Sequence, residues 1–241
     1  MKKIIIANWK AKLGPREAIS LAKKYSFLNS KYSLVVCPDF SVIYPISELL
    51  KKTKIFFGSQ DCSAFPSGAH TGEVSASSLK TLGAKYVIIG HSERRANGEG
   101  IDLILQKVQK VLAEKMIPVV CVGESAKERL QKKTMTILTK QLSQVFNKLS
   151  PEQKSQKIFV AYEPVWAVGS GQALAPEESE FICGFIKKNT NSLGASKVEV
   201  LYGGSVSANN AKEYLNQDNV SGLLIGGASL DFSVFRKIIN C

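Results

Sequence analysis

Glu163 closes the β-rich run 157–162 and is followed directly by Pro164. Proline fixes φ, so the backbone beneath the carboxylate is stiffened, while Gly169 and Gly171 supply a pliable second end to an otherwise bulky segment. A carboxylate at a strand end beside a segment hinged over 164–174 suits a general base under a closing lid; the bland alternative is a strand-end glutamate before a surface turn. His91 follows the apolar run 85–90, and Ser92 opens a short helix. A helix amino terminus disfavours protonation, which leaves a neutral imidazole as hydrogen-bond donor. Lys10, past the first apolar run with Asn8, has three readings: a Schiff-base nucleophile with lowered pKa, a charged group that stabilises a developing oxyanion, or a structural ion pair with Glu93. Glu93 as carboxylate partner favours the charged role. Tyr202-Gly203-Gly204-Ser205 and Gly226-Gly227 end two further runs. Their glycines let backbone N–H groups approach an anion, and helix amino termini beyond them favour negative charge, so this pair reads as a phosphate cradle rather than as two tight turns.

These groups need a scaffold that brings them together. Strand patterns fall at 3–9, 33–37, 54–60, 85–90, 117–122, 157–162, 197–203 and 220–226. Helical patterns lie near 15–29, 43–51, 75–82, 101–115, 126–149, 176–191, 207–215 and 230–239. Eight β-then-α units without linker or repeat predict one (β/α)8 TIM barrel domain over 1–241. The rival, a doubly wound open sheet, calls for G-x-G-x-x-G after an early strand, and none is present. In a barrel the carboxyl ends of all eight strands meet at one mouth.

The chain has 241 residues, 44% of them hydrophobic, enough for a large core. Its 32 Lys and Arg against 20 Asp and Glu give a net charge of +12. The lysine pairs at 23–24, 51–52, 132–133 and 187–188 are scattered over separate helical segments with no interleaved aromatics, which argues for a solvated exterior and against nucleic acid. A positive field still speeds the arrival of an anionic substrate. The five cysteines form no C-x-x-C and His70 and His91 belong to no ligand-spaced cluster, so reduced thiols and no structural metal are expected. The apolar run at the amino terminus is too short for a signal peptide and no stretch approaches a membrane span; a cytoplasmic protein is expected.

Asn8-Trp9-Lys10, Gly68 to Glu73, Ile89 to Arg95, Cys121 to Glu124, Ala161 to Gly171, Tyr202 to Val206 and Ile225 to Leu230 together resemble the triosephosphate isomerase family over essentially the whole chain. The resemblance implies interconversion of dihydroxyacetone phosphate and D-glyceraldehyde 3-phosphate through an enediolate, a reaction of glycolysis and gluconeogenesis, without cofactor or metal. It implies Glu163 as the base and His91 as the electrophile, a pairing already known for this family. Asn8-Trp9-Lys10 then forms the substrate-binding stretch of strand one, with Asn8 and Lys10 on the substrate oxygens and the Trp9 side chain as scaffold. Gly169, Ser205, Gly226 and Gly227 hold the phosphate, and Ser205 and Tyr202 latch the lid. Cys121 and Glu124 are scaffold. A homodimer is implied, in which the Gly68–Glu73 loop sets Thr71 beside the partner's Asn8, Lys10 and Glu93. Departures from the family pattern are His70 where an aromatic is usual, Gln172-Ala173-Leu174 at the second lid hinge, a shortened stretch 95–99 that leaves the role of Glu99 open, and the high charge.

Overall fold

Continuous apolar stretches in eight short runs decide the architecture, because a parallel strand buried on both faces needs apolar residues at both parities. The computed structural model describes residues 2–169 and 171–241; Ser170, inside the expected lid, lies outside them. The strands are β1 (Ile4–Asn8), β2 (Ser33–Cys37), β3 (Phe56–Ser59), β4 (Tyr86–Ile89), β5 (Ile117–Val122), β6 (Ile158–Tyr162), β7 (Val198–Tyr202) and β8 (Gly222–Ile225). They pair in parallel in chain order, and β8 closes on β1 with Ile4 opposite Gly222. The (β/α)8 barrel expected from the alternation is therefore the fold, and the strand positions agree with the sequence reading to within two residues at each end.

Two cores result. Ile4, Ile6, Val35, Cys37, Ile88, Val119, Cys121, Phe159, Ala161, Leu201 and Leu224 pack together inside the barrel. Their sequence neighbours, such as Ile5, Val36, Val120, Val160 and Leu223, face outward into a larger core against the helices. The helices are α1 (Pro15–Tyr25), α2 (Ile43–Leu50), α3 (Ala76–Thr81), α4 (Ser92–Ala96), α5 (Ile101–Ala113), α6 (Ala126–Leu130), α7 (Thr134–Phe146), α8 (Pro151–Lys154), α9 (Pro176–Ser192), α10 (Ala211–Leu215) and α11 (Phe232–Ile239).

Two features differ from the expected pattern: α8 lies where no helix is expected, and one expected helix is divided. The helix expected over 126–149 is two, α6 and α7, because Lys132 adopts φ 56°, a left-handed conformation that ends the first helix. The capping box of Ser125 and Glu128 then sets the start of a short α6 rather than of one long helix. The Lys132-Lys133 pair accordingly sits in the turn between them.

Beneath the loop after β3, Lys107 of α5 places its ammonium 2.8 Å from Asp61 Oδ2 and 2.8 Å from Glu99 Oε2. Arg94 Nε adds contacts to Glu99 at 2.9 Å and to Asp61 at 3.1 Å. Burial pushes the Asp61 carboxyl above its ordinary range despite Lys107, whereas for Glu99 the opposing burial is outweighed by Lys107 and Arg94, which hold it below. Glu99 is thus a buried anchor of this network. Removing one member of a buried charge cluster leaves the others unpaired, at a cost of about 3–5 kcal/mol. Lys107→Met is expected to lose stability of that order, read from urea unfolding; a midpoint equal to that of the parent would show that the cluster contributes nothing.

Candidate active site

The inward parity of each strand continues past its end and builds the mouth. Ile4 and Ile6 face the lumen, so Asn8 does; Phe159 and Ala161 face it, so Glu163 does. On four other strands, β4, β5, β7 and β8, the same step lands on Gly90, Gly123, Gly203 and Gly226. At two of them close approach demands glycine. A Cβ on Gly123 would lie 1.8 Å from the Glu163 carbonyl oxygen, and one on Gly203 would lie 2.9 Å from Glu163 Cγ. At this mouth opens a cavity of about 310 Å³ lined by Asn8, Lys10, His91, Glu163, the 203–207 turn and Gly226-Gly227.

His91 and Glu163 are both buried, 5% and 2% exposed. His91 Nε2 lies 3.2 Å from Glu163 Oε1, and the second carboxylate oxygen accepts the Ser92 N–H at 3.2 Å. At the far side of the ring, Nδ1 accepts the Glu93 N–H at 3.2 Å as the cap of α4. An Nδ1 that accepts carries no hydrogen, so Nε2 bears it and points into the cavity as a neutral donor. A neutral donor beside a water-shielded carboxylate is equipment for moving a proton from carbon while polarising an adjacent carbonyl.

Lys10 Nζ lies 2.6 Å from Glu93 Oε1. Partial burial works against the Glu93 charge, but Lys10, with Lys12 adding, outweighs it and holds that carboxyl below its ordinary range. A Schiff-base lysine needs an apolar or cationic setting; the one observed is a carboxylate, which suits a fixed ammonium. The Lys10 backbone is strained, with φ 53°. Gln60 holds it there, donating from Nε2 to Lys10 O at 2.9 Å and to Cys37 O at 3.0 Å. Gln60 is a residue the sequence reading did not single out, although it has the inward parity of Phe56 and Gly58. Gln141, equally unforeseen, clasps Gly123 with two 2.9 Å bonds to its N–H and carbonyl from the middle of α7, where nothing in the sequence marks it.

The lid segment is tied at both ends. Glu124, fully buried, receives Tyr162 Oη at 3.2 Å and Trp166 Nε1 at 3.1 Å, with Arg129 stacked on the Trp166 ring at 4.5 Å. At the far end the Leu174 N–H donates to Tyr202 Oη at 3.2 Å and its carbonyl accepts from Tyr214 Oη. The Gln172-Ala173-Leu174 variation therefore places an apolar plug in the core at this hinge. Ser205 Oγ donates to Ala167 O at 2.5 Å, and Gly169 and Gly171 carry φ 68° and 78°. Gly169, Ser205, Gly226 and Gly227 all border the same cavity.

Within the expected binding stretch Asn8-Trp9-Lys10, the Trp9 side chain does not line the cavity. Its side chain is 1% exposed and packs edge-on to Tyr25 at 5.4 Å, outside the cavity, because its parity is opposite to that of Asn8. Thr71 is exposed on a loop that stands away from the cavity of its own chain. His70 stacks on Phe65 at 4.5 Å, filling an aromatic's place in that loop. All five cysteines are unpaired, and among the described residues no three His, Cys, Asp or Glu side chains are grouped as metal ligands. Among the described residues no helix is long and apolar enough to cross a membrane.

Residues 3–241 match the family model of triosephosphate isomerase. The chain is 39% identical to the triosephosphate isomerase of Dictyoglomus thermophilum, over 99% of both proteins. It is 40% identical to that of Bacteroides fragilis, over 99% of this chain and 98% of the relative, and 38% identical to that of Buchnera aphidicola, over 100% and 98%.

The hinge makes its own prediction. A buried N–H that loses its acceptor costs about 1–3 kcal/mol. Tyr202→Phe is expected to loosen the lid's second end, seen as faster amide exchange at Leu174 with β7 unaffected; unchanged exchange would mean that the hydroxyl does not hold the hinge.

Proposed function

Because this chain belongs to the triosephosphate isomerase family, we propose that Glu163 is the base and His91 the electrophile by which it works. The enzyme is an isomerase that interconverts dihydroxyacetone phosphate and D-glyceraldehyde 3-phosphate, a reaction of glycolysis. The observation that carries the assignment of roles is the His91–Glu163 contact of 3.2 Å, with Nδ1 already occupied by the Glu93 N–H.

In this reading the substrate enters between the two side chains. Its carbonyl oxygen replaces Glu163 as acceptor of the His91 Nε2–H, which frees the carboxylate to take the proton from the adjacent carbon. The electron pair left on carbon moves toward the carbonyl oxygen, giving an enediolate stabilised by His91 and by the Lys10 ammonium. Returning the proton to the neighbouring carbon completes the isomerisation, with His91 Nε2 exchanging protons between the two oxygens. Asn8 holds the substrate oxygens with Lys10, and backbone N–H groups at Gly169, Ser205, Gly226 and Gly227 take the phosphate. Closure of the 164–174 lid shields the enediolate from water, latched through Ser205 and Tyr202. No cofactor or metal is required by this scheme.

A positioned general base contributes on the order of 10²–10⁴-fold to rate. Glu163→Gln is expected to lose at least that much turnover. Glu163→Asp withdraws the carboxylate by about 1 Å, and a misplacement of that size costs on the order of 10²-fold. Inorganic phosphate binding should persist in both. Steady-state kinetics with solvent exchange of the carbon-bound hydrogen decides it: near-parental turnover in folded Glu163→Gln removes Glu163 as the base.

We also propose a cytoplasmic homodimer. The exposed Gly68–Glu73 loop, rigidified by the Phe65–His70 stack, supports it, since Thr71 touches nothing in its own cavity. Thr71→Arg is expected to lower apparent mass and activity together in analytical ultracentrifugation with parallel assays. A fully active monomer at every concentration would sink the dimer reading.

A further inference from the structure

Arg95, the fourth residue of α4, is not used by the mechanism above, yet its side chain turns inward beneath the reacting pair. Nε donates to the Gly90 carbonyl at 2.8 Å and Nη2 to the Cys121 carbonyl at 2.9 Å. Gly90 is the residue immediately before His91. Cys121 is one residue from Val122, whose carbonyl accepts the Glu163 N–H at 2.8 Å. A single planar group therefore bridges the strand end that carries His91 and the strand end on which Glu163 is hung. Gly90 has φ 67°, and a Cβ there would lie 3.1 Å from Arg95 Nη2, so this turn is shaped around the guanidinium.

Among the described residues no carboxylate lies within 4.0 Å of the Arg95 guanidinium, in contrast to its neighbour Arg94, which is paired with Asp61 and Glu99. A partly buried cation without an ion-pair partner is expensive unless its hydrogen bonds are used. Arg95 is pushed below its ordinary range by burial, with Cys121, Glu99 and Glu163 acting in the opposite sense.

We propose that Arg95 is a positioning residue for the isomerisation: its fork fixes the separation of His91 and Glu163 by tying Gly90 to Cys121, and its unpaired charge favours the ionised base. The proposal rests on Glu163 and His91 being the reacting pair. The other charged or titratable groups that bear on Glu163 are His91 at the end of β4, the Cys121 thiol of β5, and Lys10 of the first strand end with its partner Glu93.

Two variants separate geometry from charge. Arg95→Lys keeps the charge and loses the fork; a displacement near 1 Å costs on the order of 10²-fold, so kcat should fall by about that factor. KM, inorganic phosphate Kd and the acid limb of the pH profile should stay in place. Arg95→Gln loses the charge as well. Removing a cation near a carboxylate raises its pKa, so the acid limb should move to higher pH in addition to the fall in kcat. Parental kcat in either folded variant overturns the proposal, as does loss of phosphate affinity in step with kcat, which marks a merely structural role. Glu163→Gln run in parallel separates the two claims: retained turnover there fails the base assignment itself. On the unmutated enzyme, NMR should show a hydrogen-bond coupling from the Arg95 Nε–H to the Gly90 carbonyl carbon and slow solvent exchange. A rapidly exchanging Nε–H overturns the tie whether or not the variants fold.

Discussion

A closed barrel admits only alternate residues of each strand to its lumen, and the rest of this structure follows from that restriction. The inward positions that are apolar seal the floor as Ile4, Ile6, Ile88, Phe159 and Leu201 do. Two residues later each strand reaches the mouth at the same parity, where polarity is tolerated because the cavity opens to solvent. Asn8, Gln60 and Glu163 occupy such positions, and glycine occupies most of the others. The residue types at the mouth are thus answers to one geometric question: what stands on a lumen-facing position after the floor has ended.

The charges are distributed by a second economy. Helix α4 has five residues, and four of them serve different partners: the Ser92 N–H meets Glu163, the Glu93 carboxylate meets Lys10 while its N–H donates to the capping His91, Arg94 meets Glu99 and Asp61, and Arg95 meets Gly90 and Cys121. A helix this short has little stability of its own. Its persistence comes from these tertiary bonds, which in return orient both members of the buried pair. Displacing the helix would disturb the base, the electrophile and the ammonium together.

Most of this was legible in the sequence because it depends on short-range pattern. Short continuous apolar runs marked all eight strands, and diglycines at two strand ends marked the turns after β7 and β8. What escaped depends on chain folding back over distance. Gln141 bonds a glycine eighteen residues away in sequence through a helix face that reads as ordinary surface. The break between α6 and α7 rests on a left-handed lysine, a residue type that announces no turn. Helix α8, absent from the expected pattern, is the one omission with a local signal: Ser150-Pro151-Glu152-Gln153 is a capping box with proline at the first turn. Trp9, the middle residue of Asn8-Trp9-Lys10, packs in the outer core, because strand geometry sends alternate side chains to opposite sides.

The glycines at the mouth carry a consequence for how this cavity can change over time. A position that is already glycine has nothing left to trim, so every substitution there can only subtract room, and at Gly123 and Gly203 it would do so by driving into Glu163 itself. Drift at these sites is one-directional: the lineage can shrink the chamber or lose it, and cannot enlarge it from these strands. Adaptation to a bulkier ligand would have to come from the loops, whose lengths are free to vary, while the chamber's inner wall stays at its smallest attainable thickness.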